Sequence, residues 1–169
     1  AMAGIEYSGP PLAEKPPTVI AALGPKMLEV AATMADGAHP FATTPEHTAQ
    51  ARSILGPDKL LLVEQKVMLE TDAEKARAYG RGLGTGLAGI PNYRNNMLRM
   101  GFTTDDFENG GSDRLADAML AWGDEEAIRR RIQEHWDAGA DQVSIQVMPR
   151  EGEFLTPEDE KLFELLAPG

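Results

Sequence analysis

The chain has 169 residues, 42% hydrophobic and 25% charged, a composition that supports one domain with a sizeable core. Its formal net charge of −11 argues against nucleic acid or an anionic membrane surface as a partner, since no overall field or basic run attracts a polyanion. It has no cysteine, which removes disulfides, thiolate metal sites and a cysteine nucleophile and fits a cytoplasmic location, and no apolar run reaches the roughly 20 residues of a membrane helix.

Residues 1–17 read as an extended, Pro-rich linker carrying Pro10-Pro11 and Pro16-Pro17. The opening Ala1-Met2-Ala3, with no element before the first strand, has the look of a piece of a longer protein. From Thr18 to Pro40 the sequence predicts a βαβ unit. Thr18 to Leu23 is nearly all apolar, as in a strand buried on both faces, and Gly24-Pro25 stops it. Met27, Val30, Ala31 and Met34 then recur at helical spacing, Asp36-Gly37 ends the helix, and a short second strand begins at Ala38-His39-Pro40. A strand that enters a helix through Gly24-Pro25-Lys26 leaves backbone N–H groups free beside a lysine, an arrangement suited to a phosphate.

Thr44 and Pro45 are a good N-cap and first helical residue for a helix running to about Leu55. Leu60 to Leu69 predicts a third strand with polar Glu64, Gln65 and Lys66, where Glu64 and Lys66 share one side as a buried ion pair. Thr71 to Glu74 reads as a capping box with Thr71 at the cap. The run Gly80, Gly82, Gly84, Gly86 and Gly89 then predicts poor regular helix, followed by an amide-rich stretch around Ile90 to Asn96. An apolar helix from Leu115 to Trp122, an amphipathic helix from Asp124 to Ala138, a fourth strand from Gln142 to Met148 and a last helix capped at Thr156-Pro157 complete the chain. Arg129-Arg130-Arg131 follows Asp124-Glu125-Glu126 on one helix and reads as a solvated face, His47 and His135 as surface residues, and Trp122 and Trp136 as core.

Four strands separated by helices predict parallel α/β architecture. The connection between the third and fourth is far longer than a crossover needs, so residues 71–122 read as an insertion leaving the C-terminal strand ends, where α/β proteins bind ligands.

The pieces AALGPKMLEVA, ADGAHPF-TTPEH, LETDAEKARAY, PNYRNNMLRMGF, GGSDRLADAMLAWGDEEAI and DAGADQV, in this order, resemble the C-terminal half of luciferase-like monooxygenases, and within them the branch that uses coenzyme F420. The resemblance implies half of a TIM (β/α)8 barrel over residues 18–169, its four strands being the fifth to eighth and its insertion all helical. It further implies an oxidoreductase that moves a hydride between F420 and a small organic substrate, the cofactor doing the chemistry.

Carried over residue by residue, the resemblance places Ala22, Gly24, Pro25, Lys26, His39, Thr43 and Thr44 at the cofactor tail. His39 stands at the end of a buried strand and is the one weak catalytic candidate; a structural histidine is the plain alternative. Asn92, Tyr93, Asn96 and Arg99 form the polar centre of the insertion, open to either a substrate or an interface role. No histidine spacing suits a metal. Four strands cannot close a barrel, so the expected partner is a missing N-terminal half-barrel or a second copy in a homodimer. Two other readings stay open: an FMN-dependent monooxygenase, and a non-catalytic half-barrel assembly module.

Overall fold

The computed structural model describes residues 9–10, 14–150, 152 and 154–167; most of the expected linker at 1–17 lies outside the described residues. The predicted βαβ unit forms as β1 (Val19–Ile20), α1 (Pro25–Met34) and β2 (Gly37–Ala38), with β2 ending before His39. Then come α2 (Pro45–Leu55), β3 (Leu60–Met68), α3 (Ala73–Ala88), α4 (Pro91–Arg99), a 3-10 turn at Thr104–Phe107, α5 (Asp113–Met119), β4 (Ala121–Trp122), α6 (Glu125–Asp137), β5 (Gln142–Val147) and α7 (Pro157–Leu166). All pairings are parallel: β1 to β2, β2 to the start of β3, and β5 along β3 from Leu62↔Gln142 to Val67↔Val147.

Alternation along β3 decides what each face of this sheet does. Leu61 and Val63 are fully buried with Leu28 and Ala31 of α1 and Ala51 and Leu55 of α2, and Val67 is buried with Ile128 and Ile132 of α6 and Leu162 of α7. Those odd-numbered residues therefore face the helices, and Leu62, Glu64 and Lys66 face the opposite side. On that side Gln142 and Gln146 of β5 are exposed and Leu62 is half-buried. A doubly wound sheet would carry helices on both faces; here α1, α2, α6 and α7 all lie on one, as in the wall of a barrel.

The insertion departs from the expected pattern in three places. Asp72, and not Thr71, caps α3, its carboxylate accepting from the N–H groups of Glu74 and Lys75 at 3.0 and 3.3 Å. The helix α3 runs unbroken through the glycine-rich stretch, because two of those glycines are where α5 lies against it. A Cβ on Gly84 would come within 2.5 Å of Leu115 Cγ, and one on Gly80 within 3.0 Å of Ala116 Cβ. The helix gives up intrinsic propensity and gains close contact. Gly84→Ala is therefore expected to cost about 1–3 kcal/mol by overpacking, whereas Gly82→Ala and Gly86→Ala, with nothing within 4 Å, should each add about 0.5–1 kcal/mol in urea unfolding.

The third departure is β4. Leu120 turns extended (φ −133°, ψ 122°), and Ala121 and Trp122 pair with Val67 and Met68 of β3, so the expected helix stops at Met119 and the insertion ends in a two-residue strand. The insertion has its own core, with Ala88, Met97, Phe102, Leu115 and Met119 buried together. Two further expectations are corrected by burial. His47 and His135 are fully buried rather than on the surface, and Trp136 is 48% exposed rather than in the core; Trp122 is half-buried.

Candidate functional site

The loops after β1 and β2 and the insertion after β3 all leave from the C-terminal ends of parallel strands, and they meet. Gly24 is the N-cap of α1 in extended conformation (φ −93°, ψ 161°), Pro25 fills the first helical position, and no side chain caps the helix. The positive end of α1 is therefore open. Over it lies Arg99 from the last turn of α4, its Nη2 atom 3.3 Å from where a Gly24 Cβ would stand. Arg99 Nη2 donates to Oδ1 of Asn96 at 3.1 Å, and Asn96 is buried, so the guanidinium is held from behind. Among the described residues Arg99 forms no ion pair. A cation at a helix N-terminus is unfavourable by itself, and an anion between the two reverses the sign.

The second loop is braced by β3. Ala42 takes a left-handed backbone (φ 54°), uncommon for a residue with a side chain, and its N–H donates to Oε2 of Glu64 at 3.1 Å. Glu64 is paired with Lys66 at 3.1 Å, both side chains nearly buried, as the strand alternation requires. Lys66 Nζ sits 3.8 Å from the centre of the Phe41 ring, and Phe41 meets Tyr93 edge-on with centroids 6.3 Å apart. The pair thus fixes the turn from Phe41 to Thr44 and ties it to α4. Its role is to position, and it leaves the hydroxyl of Thr43 buried without a hydrogen-bond partner.

Thr44 is committed locally, since its hydroxyl oxygen accepts from the His47 N–H at 3.4 Å as the cap of α2 and its O–H reaches Met100 Sδ at 3.6 Å. His47 Nε2 donates to the Leu23 carbonyl at 2.8 Å, which fixes the tautomer and leaves Nδ1 as a buried acceptor with no partner. Burial pushes the His47 pKa down, the hydrogen bond to Leu23 opposes this, and the nearby Arg99 charge adds to it. His47 is therefore neutral.

Of the residues singled out in the sequence, the structure brings Gly24, Pro25, Thr43, Thr44, Tyr93, Asn96 and Arg99 into one connected region. Ala22 packs in the core with Leu28 and Ala31, so only its backbone can serve the turn. Lys26 and Asn92 are exposed. His39 is half-buried, and its N–H donates to the Ile20 carbonyl at 2.9 Å, extending the β1–β2 ladder. His47 is the residue that the sequence did not mark; nothing local distinguishes it from a surface histidine. Among the described residues no group of three or more His, Cys, Asp or Glu could hold a metal, and no helix is long and apolar enough to cross a membrane.

No protein-family model matches the sequence, and no curated protein matches it. Solved structures do. The coenzyme F420 dependent tetrahydromethanopterin reductase of Methanopyrus kandleri aligns over 89% of this chain and 48% of its own, with 20% identity and a TM-score of 0.59. An F420-dependent secondary alcohol dehydrogenase, solved with an F420-acetone adduct, aligns over 79% and 43% with 14% identity and a TM-score of 0.55. EDTA monooxygenase of Chelativorans sp. BNC1 aligns over 86% and 41% with 17% identity and a TM-score of 0.52. The chain has the fold of the C-terminal half of a (β/α)8 barrel. It spans about half the length of the solved structures that it matches. In a barrel of this kind the C-terminal strand ends form the face that carries chemistry, and Gly24, Thr43 and Arg99 of the half-barrel all stand there.

Proposed function

We propose that the half-barrel holds the phosphate-bearing tail of coenzyme F420 between the Gly24 turn, Thr43 and Arg99. It does so as the C-terminal portion of an F420-dependent luciferase-like oxidoreductase acting on a small organic substrate. The observation that carries this reading is Arg99, a cation with no carboxylate partner among the described residues, stationed over the open positive end of α1. The residues fit the group. Arg99 and the backbone N–H groups of Gly24 and Lys26 meet a phosphate's charge, those of Met27 and Leu28 being used by the Gly24 carbonyl; the unpartnered Thr43 hydroxyl donates to an anionic oxygen, and the His47 Nδ1 lone pair accepts from a ligand hydroxyl. Lys26, exposed on the first turn of α1, adds positive charge at the rim.

When bound, the deazaflavin supplies the hydride chemistry. The chain's own residues bind and orient: the Glu64–Lys66 pair holds the Phe41–Thr44 turn, and the Phe41–Tyr93 pair gives the site an apolar wall. The likeness to two F420-dependent enzymes favours F420, and the likeness to EDTA monooxygenase keeps FMN as the second reading, since a flavin phosphate suits the same groups. Among the described residues no side chain is placed to act as a general acid or base on a substrate, so the chain alone is expected to bind cofactor without turning over.

Fluorescence titration of F420 and of FMN into the purified chain tests this. F420 should bind saturably and more tightly than FMN, and Arg99→Ala should weaken F420 binding about 10- to 100-fold, the scale of one hydrogen bond to a charged group. Arg99→Lys should lose less. No saturable change with either cofactor would overturn the proposal, and tighter binding of FMN would replace it by the second reading.

A further inference from the structure

The loop that joins α4 to α5 carries a reactive pair that the cofactor site does not use. Its tip is Asn109-Gly110-Gly111, and all three residues take left-handed backbones, with φ of 52°, 87° and 94°. Asn109 and Gly110 are exposed. The turn closes through a hydrogen bond from the Gly111 N–H to the Glu108 carbonyl at 2.9 Å. Among the described residues neither the side-chain amide of Asn109 nor the N–H of Gly110 has a hydrogen-bond partner. A Cβ on Gly110 would meet nothing within 4 Å, so no neighbour hinders movement there.

Two groups that can react with each other are tethered in this dipeptide. The electrophile is Cγ of the Asn109 amide, and the nucleophile is the backbone nitrogen of Gly110. Attack closes a five-membered ring, and the tether makes the step unimolecular. Glycine has no Cβ to shield its nitrogen. The other three asparagines, Asn92, Asn95 and Asn96, lie in α4 and precede Tyr93, Asn96 and Met97, so each is followed by a residue with a side chain and a helical backbone.

We propose that Asn109 is a site of spontaneous deamidation and isomerisation. The Gly110 nitrogen gives its proton to solvent and bonds to Asn109 Cγ, the Cγ–Nδ2 bond breaks, and ammonia leaves a succinimide behind. Water then adds to either ring carbonyl and opens the ring to aspartate or isoaspartate. In all, one water is consumed and one ammonia released. A left-handed residue turns the next nitrogen away from its own Cβ, so closure requires rotation about the Asn109 Cα–C bond while the Glu108–Gly111 hydrogen bond is open. An exposed turn of this kind is among the first parts of a fold to open. Aspartate adds a negative charge beside Glu108. Isoaspartate also lengthens the backbone next to Gly111, where a Cβ would lie 2.9 Å from Thr85 Cγ2 of α3, and close to Ser112, the cap of α5. The isoaspartate form should therefore unfold at lower urea concentration than the parent, and Asn109→Asp should stay close to the parent.

Trypsin divides the asparagines among separate peptides: residues 82–94 hold Asn92, residues 95–99 hold Asn95 and Asn96, and residues 100–114 hold Asn109 and no other side-chain amide. The folded chain is held in mildly alkaline buffer, sampled over days, digested, and compared by mass spectrometry with a digest made at the start. The 100–114 peptide should gain one mass unit and split into two products that chromatography separates, while the 95–99 peptide keeps its mass. Asn109→Gly, which suits the left-handed backbone and removes the amide, should leave the protein without a more acidic form on ion exchange. A 100–114 peptide of unchanged mass would overturn the proposal. So would amide loss at Asn95 or Asn96 as fast as at Asn109, or an acidic form that still accumulates in Asn109→Gly. The reaction needs neither F420 nor FMN and stands apart from the cofactor site.

Discussion

Gly37→Ala is expected to remove about 3 kcal/mol or more of stability, enough to leave much of the protein unfolded. A Cβ at this position would lie 2.3 Å from the Leu60 carbonyl oxygen, 2.6 Å from Leu60 Cβ and 2.9 Å from its carbonyl carbon. Overpacking against movable side chains costs about 1–3 kcal/mol, but here the obstacle is chiefly backbone, and Gly37↔Leu60 is one of the two register pairs that join β2 to β3. Relief requires the strands to part. Losing β2 also frees the loop that carries Thr43, so cofactor binding should fall with the fold. Chemical denaturation of the variant beside the parent measures this directly. A variant within about 0.5 kcal/mol of the parent, the scatter of an ordinary surface change, would show that β2 does not pair with β3 as described.

Acidification should cost nearly as much, through a different group. His135 is fully buried between Thr48 and Gln65. Gln65 Nε2 donates to the Lys66 carbonyl at 2.8 Å, which leaves Gln65 Oε1 to accept from His135 Nε2–H at 3.0 Å, while Nδ1 accepts from the Thr48 hydroxyl at 2.8 Å. Both ring nitrogens are used by the neutral form. Burial first, then the Arg131 charge, holds the His135 pKa at about 4, with Glu46 pulling the other way and His47 adding to the depression.

The unfolded chain takes up this proton near pH 6.5, and the folded chain only near pH 4. Stability is therefore whole above pH 6.5 and falls as pH drops toward 4, by about 1.4 kcal/mol per unit and about 3 kcal/mol in all. His47, also depressed, acts in the same direction. Glu46, Asp106, Asp117 and Asp159 are held below the usual carboxylate range, so their losses begin only as pH falls below about 4.5 and leave the upper part of the window to histidine. Urea unfolding at pH 7 and pH 5 should show the parent losing about 2 kcal/mol and His135→Gln losing much less. Equal losses in both would mean that His135 is not held neutral by the fold.

Much of the wall was legible because its signals are local. Thr44-Pro45 and Thr156-Pro157 are helix starts by cap chemistry, Val143, Ile145 and Val147 alternate with polar neighbours, and the apolar run from Thr18 to Leu23 does hold a strand, although β1 is only Val19–Ile20 and half-buried rather than buried on both faces. The shared side of Glu64 and Lys66 followed from a period of two, and the structure makes them a buried pair. What escaped depends on a distant partner. The glycines of α3 look like helix breakers until Leu115 and Ala116 are seen against them. His47 and His135 look like polar helix residues until Leu23, Thr48 and Gln65 supply hydrogen bonds from elsewhere. Trp136 looks like core and lies half in solvent. Arg99 was marked for its polar company in the insertion, but its meeting with Gly24, 75 residues earlier, is a fact of tertiary structure.

The Gly24 site itself is best tested by amide NMR of the isotopically labelled chain during titration with F420. Binding at the proposed place should shift the amides of Gly24 and Lys26 to Leu28, of Thr43 to His47 except Pro45, and of Arg99 together, along one saturation curve, and Arg99→Ala should displace that curve to higher cofactor concentration. Shifts that saturate but cluster elsewhere, for instance around Lys75 and Arg150 in the cleft beside α7, would contradict the account, and so would spectra that F420 leaves unchanged.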